Sequence, residues 1–140
     1  MYTKGDLEEF FDSYVEAALW SSNDESTPAG GEPLDRNYTA DDLTQRTEDE
    51  MVADCKQFLD KAWRLIEAAP AQIANYPRME MAGFDFWLSR NGHGISFTDD
   101  WPHIEFDGAP IAEQLDEIAE SFGSYNLFVD RGGKIHGSEG

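Results

Sequence analysis

Arg90, Asn91 and His93 lie within the short stretch Arg90-Asn91-Gly92-His93-Gly94 of a chain that is otherwise strongly acidic. A guanidinium, an amide and an imidazole presented side by side could bind an anion or pass a proton. Asn-Gly and His-Gly are also ordinary turn chemistry, because these residues tolerate positive φ. No nucleophile or second base stands at a telling spacing from the three, so the residues define an alternative ligand site and no catalytic residues are assigned.

A second cluster follows, in which Asp99, Asp100, His103, Glu105 and Asp107 fall within nine residues. Carboxylates and imidazole suit a divalent cation. Zinc-finger, EF-hand and metalloprotease spacings are absent. An acidic chain also creates such clusters by composition alone, so neither a metal site nor a cofactor is expected. The phosphate-cradling GxxxxGK[ST], the dinucleotide GxGxxG, CxxC and GxSxG are missing as well. A binding function is therefore expected ahead of an enzyme.

Charge is the dominant feature. Ten Lys+Arg stand against 29 Asp+Glu, a net charge of −19 over 140 residues. Residues 1–60 hold 16 acidic and 4 basic side chains (net −12), and residues 61–140 hold 13 and 6 (net −7). Phosphate backbones are bound with lysine and arginine, so direct nucleic-acid binding is not expected. The apolar fraction of 40% and aromatic fraction of 13% argue for a folded domain despite the charge. The single cysteine, Cys55, cannot form an internal disulfide, and no apolar run approaches membrane-spanning length. The acidic start MYTKGDLEEFFD does not resemble a signal peptide, and the expected location is the cytosol.

The elements that must position these residues can be read from periodicity. Thr3 with Asp6 forms a capping-box pattern, and Leu7, Phe10, Phe11, Tyr14, Val15, Ala18 and Leu19 predict a helix from about Asp6 to Trp20. Residues 21–38, rich in Ser, Pro, Gly and Asn, predict a long mobile loop. Thr39 with Asp42 and Thr47 with Glu50 predict a short turn and then a longer helix, whose stripe runs from Met51 to Ile66. Alternation at Phe84-Asp-Phe-Trp-Leu-Ser-Arg, the Asn91–Gly94 turn and Ile95-Ser-Phe-Thr predict a β-hairpin. Pro110 opens a third helix that carries Ile111, Leu115, Ile118, Ala119 and Phe122 and stops at Gly123. Tyr125–Val129, the Asp130–Gly133 turn and Lys134-Ile-His predict a second hairpin. The reading is one α+β domain over residues 1–140, with a small, mainly antiparallel sheet packed on helices and no detectable internal repeat.

Two of the predicted helices bear carboxylates on their outer faces. Glu8, Glu9, Asp12 and Glu16 lie on the first, and Glu113, Asp116, Glu117 and Glu120 on the third. Such a face is either solvating or an imitation of the phosphates of a duplex. In the second case it would occupy the basic groove of a nucleic-acid-handling protein. Trp20 and Trp101 are candidate aromatic anchors for a mixed interface.

AGFDFWLSRNGHG (82–94), together with ALWSSNDE, GEPLDRNY and FGSYNLFVDRGGKI, resembles a family of small acidic proteins encoded by tailed bacteriophages, which carry an AGxDFWLxRNGHG motif. Two positions depart from that family's pattern: Phe84 stands where a histidine is expected, and Thr98-Asp99 where an aromatic-Asp pair is usual. The resemblance implies phage context and action in the host cytoplasm. It carries context and no mechanism. That context together with the net charge of −19 leads to the expectation of a protein that binds and inhibits, or modulates, a host protein with a basic surface, of the anti-CRISPR or antirestriction type. The alternative is a small enzyme or ligand-binding domain using Arg90, Asn91 and His93.

Overall fold

A computed structural model describes residues 1–26 and 30–140. The fold is α+β, with helices α1 (Lys4–Ser21), α2 (Gln45–Ala68), α3 (Arg78–Asn91), α4 (Phe97–Asp100) and α5 (Ile111–Glu120). Four two-stranded antiparallel ribbons join them: β1 (Asn23–Asp24) with β2 (Glu32–Pro33), β3 (Gln72–Ile73) with β4 (Tyr76–Pro77), β5 (Glu105–Phe106) with β6 (Ala109–Pro110), and β7 (Tyr125–Val129) with β8 (Ile135–Glu139). The strands are antiparallel as expected, but among the described residues they do not merge into one sheet.

Helix α1 starts as its sequence dictates. The Thr3 hydroxyl accepts from the Asp6 N–H at 3.1 Å, and the Asp6 carboxylate accepts from the Thr3 N–H at 2.9 Å. The same reciprocal pair at Thr39 and Asp42 opens a 3₁₀ turn over Ala40–Asp42. For α2 the cap is Thr44, whose hydroxyl receives the Thr47 N–H at 3.2 Å. Thr47, expected to be the cap, is instead buried in the first turn, where its hydroxyl accepts from the Gly137 N–H of β8.

The expected hairpin over residues 84–98 is absent. Arg78–Asn91 is a helix, and Gly92 (φ 65°, ψ 39°) is its left-handed C-cap. The His93 N–H closes the cap by donating to the Leu88 carbonyl at 3.2 Å. The reason lies in packing: α1, α2 and α5 all pack against α3, so Met79, Met81–Gly83 and Asp85–Arg90 are buried on every side. A helix covered on most sides has little polar face, and its apolar run shows no helical period to distinguish it from a strand. Ile95-Ser-Phe-Thr likewise forms no return strand, since Ser96 caps the short α4 through Asp99.

The expected loop at 21–38 contains short elements within the residues described, 21–26 and 30–38. Residues 23–24 pair with 32–33, Leu34–Arg36 forms a 3₁₀ turn, and Leu34 is fully buried; the tip at 27–29 lies outside the described residues. This ribbon shares a device with two others. In each, the second strand ends in proline (Pro33, Pro77, Pro110), paired with the first residue of the first strand. The next residue then begins a helical turn, its N–H donating to the carbonyl just before the first strand: Leu34 to Ser22, Arg78 to Ala71, and Ile111 to Ile104. Proline needs no N–H partner, and its fixed φ turns the chain from strand into helix. The tight tips at Ala74-Asn75 and Asp107-Gly108 hold positive φ at both residues.

An aromatic cluster forms the core. Phe58 and Phe86 stack at 4.2 Å between ring centres, with Phe10, Phe97 and Phe122 around them. Cys55 is fully buried there, and burial pushes its thiol pKa up, which makes it a poor nucleophile. The crossing of α1 and α3 depends on Gly83, where an added Cβ would lie 2.1 Å from the Phe10 carbonyl oxygen. Gly83→Ala therefore has to separate two buried helices, and a stability loss of about 3 kcal/mol is expected in urea melts. A loss under about 1 kcal/mol would contradict this account of the crossing.

Candidate functional site

Arg90 and Asn91 do not form an exposed tip. Arg90 is in the last turn of α3 and only 4% exposed. Its Nη1 donates to Asp54 of α2 at 2.8 Å and to the Tyr14 hydroxyl of α1 at 2.9 Å. Its Nε and Nη2 donate to the carbonyls of Gly123 and Phe122, at 2.8 and 3.3 Å, just past the C-terminus of α5. The guanidinium also lies 5.5–5.6 Å from the ring centres of Phe86, Phe122 and Tyr125. Asn91 donates to the Trp87 carbonyl and accepts from the Tyr125 N–H. Both side chains are structural ties, and only His93 of the three is exposed.

The two acidic sets also diverge. On α1, Glu8, Glu9, Asp12 and Glu16 are exposed, and among the described residues none forms an ion pair. On α5, Glu113, Glu117 and Glu120 are exposed, whereas Asp116 is committed internally. Its carboxylate accepts from the Ser89 hydroxyl and from the N–H groups of Phe97 and Thr98, capping α4. The cluster at 99–107 is dispersed by α4 and the β5–β6 turn. Among the described residues no three His, Cys, Asp or Glu side chains are placed to share a metal ion.

A site not foreseen from sequence lies where α1 meets the N-terminal half of α3. A cleft of about 450 Å³ is walled by Trp20, Tyr76, Phe84, Met81 and Ile95 and rimmed by Glu16, Asp35, Glu80 and Asp100. Trp20 is 48% exposed and Tyr76 53% exposed, which leaves unusually large aromatic faces in water. Trp20 leans on Phe84, with ring centres 5.7 Å apart. Helical spacing explains the placement: Asp12, Glu16 and Trp20 follow at intervals of four along α1, so the acidic stripe leads into the cleft. A shallower groove of about 350 Å³, containing Asp12, Val15, Leu19 and Tyr38, shares Glu16 and Asp35 with it. Trp20 was visible as an anchor candidate. Trp101, the other candidate, is 5% exposed and donates to Asp85. Tyr76, Asp35 and Glu80 come from separate elements, and nothing in their spacing links them.

Next to Phe84 of the cleft wall sits Asp85, fully buried, with one carboxyl oxygen accepting from the Trp101 indole at 3.0 Å and the other accepting from no donor among the described residues. Burial, and next the hydrogen bond and charge of Asp100, push its pKa up to about 9. At neutral pH it is a carboxylic acid, able to donate to Asp100. Tyr125, near the other end of α3, is likewise raised by burial and then by its hydrogen bond to Glu50, so it stays a neutral phenol.

No family model, curated protein or solved structure matches this chain. Among the described residues no helix is long and apolar enough to cross a membrane.

Two outcomes follow from these ties. Arg90→Met strands Asp54 and two carbonyls, and a loss of about 3 kcal/mol is expected on thermal or urea melting, against less than about 0.5 kcal/mol for His93→Ala. Equal effects would contradict the internal role assigned to Arg90. For Asp85, the folded value lies above the roughly 4 of an unfolded aspartate, so the folded state holds more protons between those values. Its stabilisation is full below about pH 4 and is lost as the pH rises toward 9. Asp85→Asn, which keeps an acceptor and a donor, should gain about 1–3 kcal/mol over the wild type at pH 8.5 and much less at pH 5. A difference that does not vary with pH would show that Asp85 does not titrate in this way.

Proposed function

We propose that this chain is a binding protein that occupies the basic surface of a nucleic-acid-handling or defence protein, in the manner of a phage-encoded inhibitor acting in the host cytoplasm. The observation that carries the reading is the solvent-facing stripe Glu9, Asp12 and Glu16 on α1, without an ion pair among the described residues, which continues into an exposed aromatic cleft. Carboxylates at helical intervals on a rigid helix supply repulsion-free contact only to a cationic surface, and they would compete there with phosphate. Aromatic surface beside them supplies the desolvated anchor that charge alone does not. The net charge of −19 adds long-range attraction and excludes the polyanion itself as partner.

The composition of the two acidic faces favours α1 in this reading. The α1 face joins charge to exposed aromatic surface, whereas the α5 face keeps Glu113, Glu117 and Glu120 but has lost Asp116 to an internal cap. Arg90 and Asn91 have no part in this reading, because their polar groups are already bound within the chain.

The test is retention of host-lysate proteins on the immobilised chain, with elution by duplex DNA and by rising salt. A single nucleic-acid-handling protein released by both is expected, in a stoichiometric complex that weakens with ionic strength. Reversing Glu8, Glu9 and Asp12 to lysine should weaken that complex at least tenfold, and reversing Glu113, Glu117 and Glu120 should weaken it less. Unchanged affinity in both sets would sink the proposal.

A further inference from the structure

The aromatic cleft has a chemistry of its own. Trp20, Phe84 and Tyr76 present ring surface around one opening, while Glu16, Asp35 and Glu80 stand at its edge. Among the described residues no lysine, arginine or histidine lines it, and none of these carboxylates is paired with a basic side chain. Rings beside carboxylates are complementary to a cation that also has a flat, weakly hydrated face. The ring quadrupole attracts the charge, and the carboxylates receive its N–H groups. A guanidinium meets both requirements, since it stacks on aromatic faces and offers a fork of donors; an ammonium, a strongly hydrated point charge, meets them less well.

The protein already contains one such arrangement. Within the core, the Arg90 guanidinium lies over Phe86, Phe122 and Tyr125 while donating to Asp54. The cleft offers rings and carboxylates of the same types at the surface, and among the described residues no guanidinium lines it. Most of its walls come from α1, the turn after β2, the β3–β4 ribbon, α3 and α4, which are held by backbone hydrogen bonds, and Ile95 of the α3–α4 connection completes them.

We propose that this cleft seats an arginine side chain projected by the partner protein. The inference deepens the binding role proposed above and rests on it: the α1 stripe attracts a basic surface, and the cleft selects one arginine of that surface as anchor.

The test uses the full chain, labelled for amide and indole NMR, titrated with three synthetic nine-residue peptides in which glycine alternates with arginine, with lysine, or with citrulline, the neutral isostere of arginine. The arginine peptide is expected to shift the Trp20 indole and the amides of Tyr76, Glu80 and Met81, and to bind at least fivefold more tightly than the lysine peptide. The citrulline peptide should produce no shifts there. Trp20→Ala, at a half-exposed position and with its fold checked by the dispersion of the amide spectrum, should lower arginine-peptide affinity at least tenfold. Glu16→Gln with Asp35→Asn should do the same, and Glu113→Gln with Glu117→Gln should change it less than twofold. Arginine and lysine peptides that bind equally, with shifts spread along α1 and no effect of Trp20→Ala, would overturn the cleft assignment while leaving the acidic-face reading standing. Absence of binding by either basic peptide would overturn both.

Discussion

The Arg90 guanidinium fastens four parts of the chain at one point. From the end of α3 it reaches Tyr14 of α1, Asp54 of α2 and the two carbonyls that follow α5. A buried cation tolerates such a place only when its donors are nearly all used and an anion is at hand, and both conditions are met here. The carbonyls past α5 are the negative end of that helix, so the charge also answers the helix dipole. Because each partner comes from a different helix, the pairing forms only when the helices are correctly docked. It therefore acts as a check on the native arrangement as much as a source of stability.

The rest of the architecture serves to enclose α3. Gly83 lets α1 approach to backbone contact, the stack of Phe58 on Phe86 brings in α2, and Asp116 ties α5 to Ser89 and to the start of α4. The β7–β8 ribbon closes the Arg90 end, with Tyr125 held by Asn91 and Glu50, and Thr47 bonded to Gly137. At the opposite end of α3 the packing is incomplete. There the ribbon β3–β4 and the turn after β2 leave Trp20, Tyr76 and Phe84 around an open cleft. One end of the central helix is thus closed by polar ties, and the other borders an open cleft.

Charge is distributed along the same division. Carboxylates that face inward are neutralised in some way: Asp54 by Arg90, Asp116 by backbone N–H groups, and Asp85 by holding its proton. Among the described residues, Glu8, Glu9, Asp12 and Glu16 on the outer face of α1 have no ion-pair partner. The carboxylates of the chain therefore fall into two populations, inward and compensated or outward and solvated, and composition alone does not separate them.

What the amino-acid sequence determined by itself is whatever depends on neighbours along the chain. The capping boxes at Thr3 and Thr39, the amphipathic stripes of α2 and α5, the Gly123 stop and the β7–β8 hairpin are local patterns with local causes, and each is legible in the residues. The α+β class follows from them. What only the tertiary structure decided is whatever depends on burial from several directions. Helix α3 loses its period because it is covered on most sides, so its alternating Phe84, Phe86 and Leu88 read as a strand and its C-cap Asn91-Gly92 as a hairpin turn. The same enclosure takes Arg90 and Asn91 out of solvent and Asp116 out of the acidic face. It brings Trp20 to Tyr76 and Phe84, whose proximity is a product of helix docking that no spacing along the chain encodes.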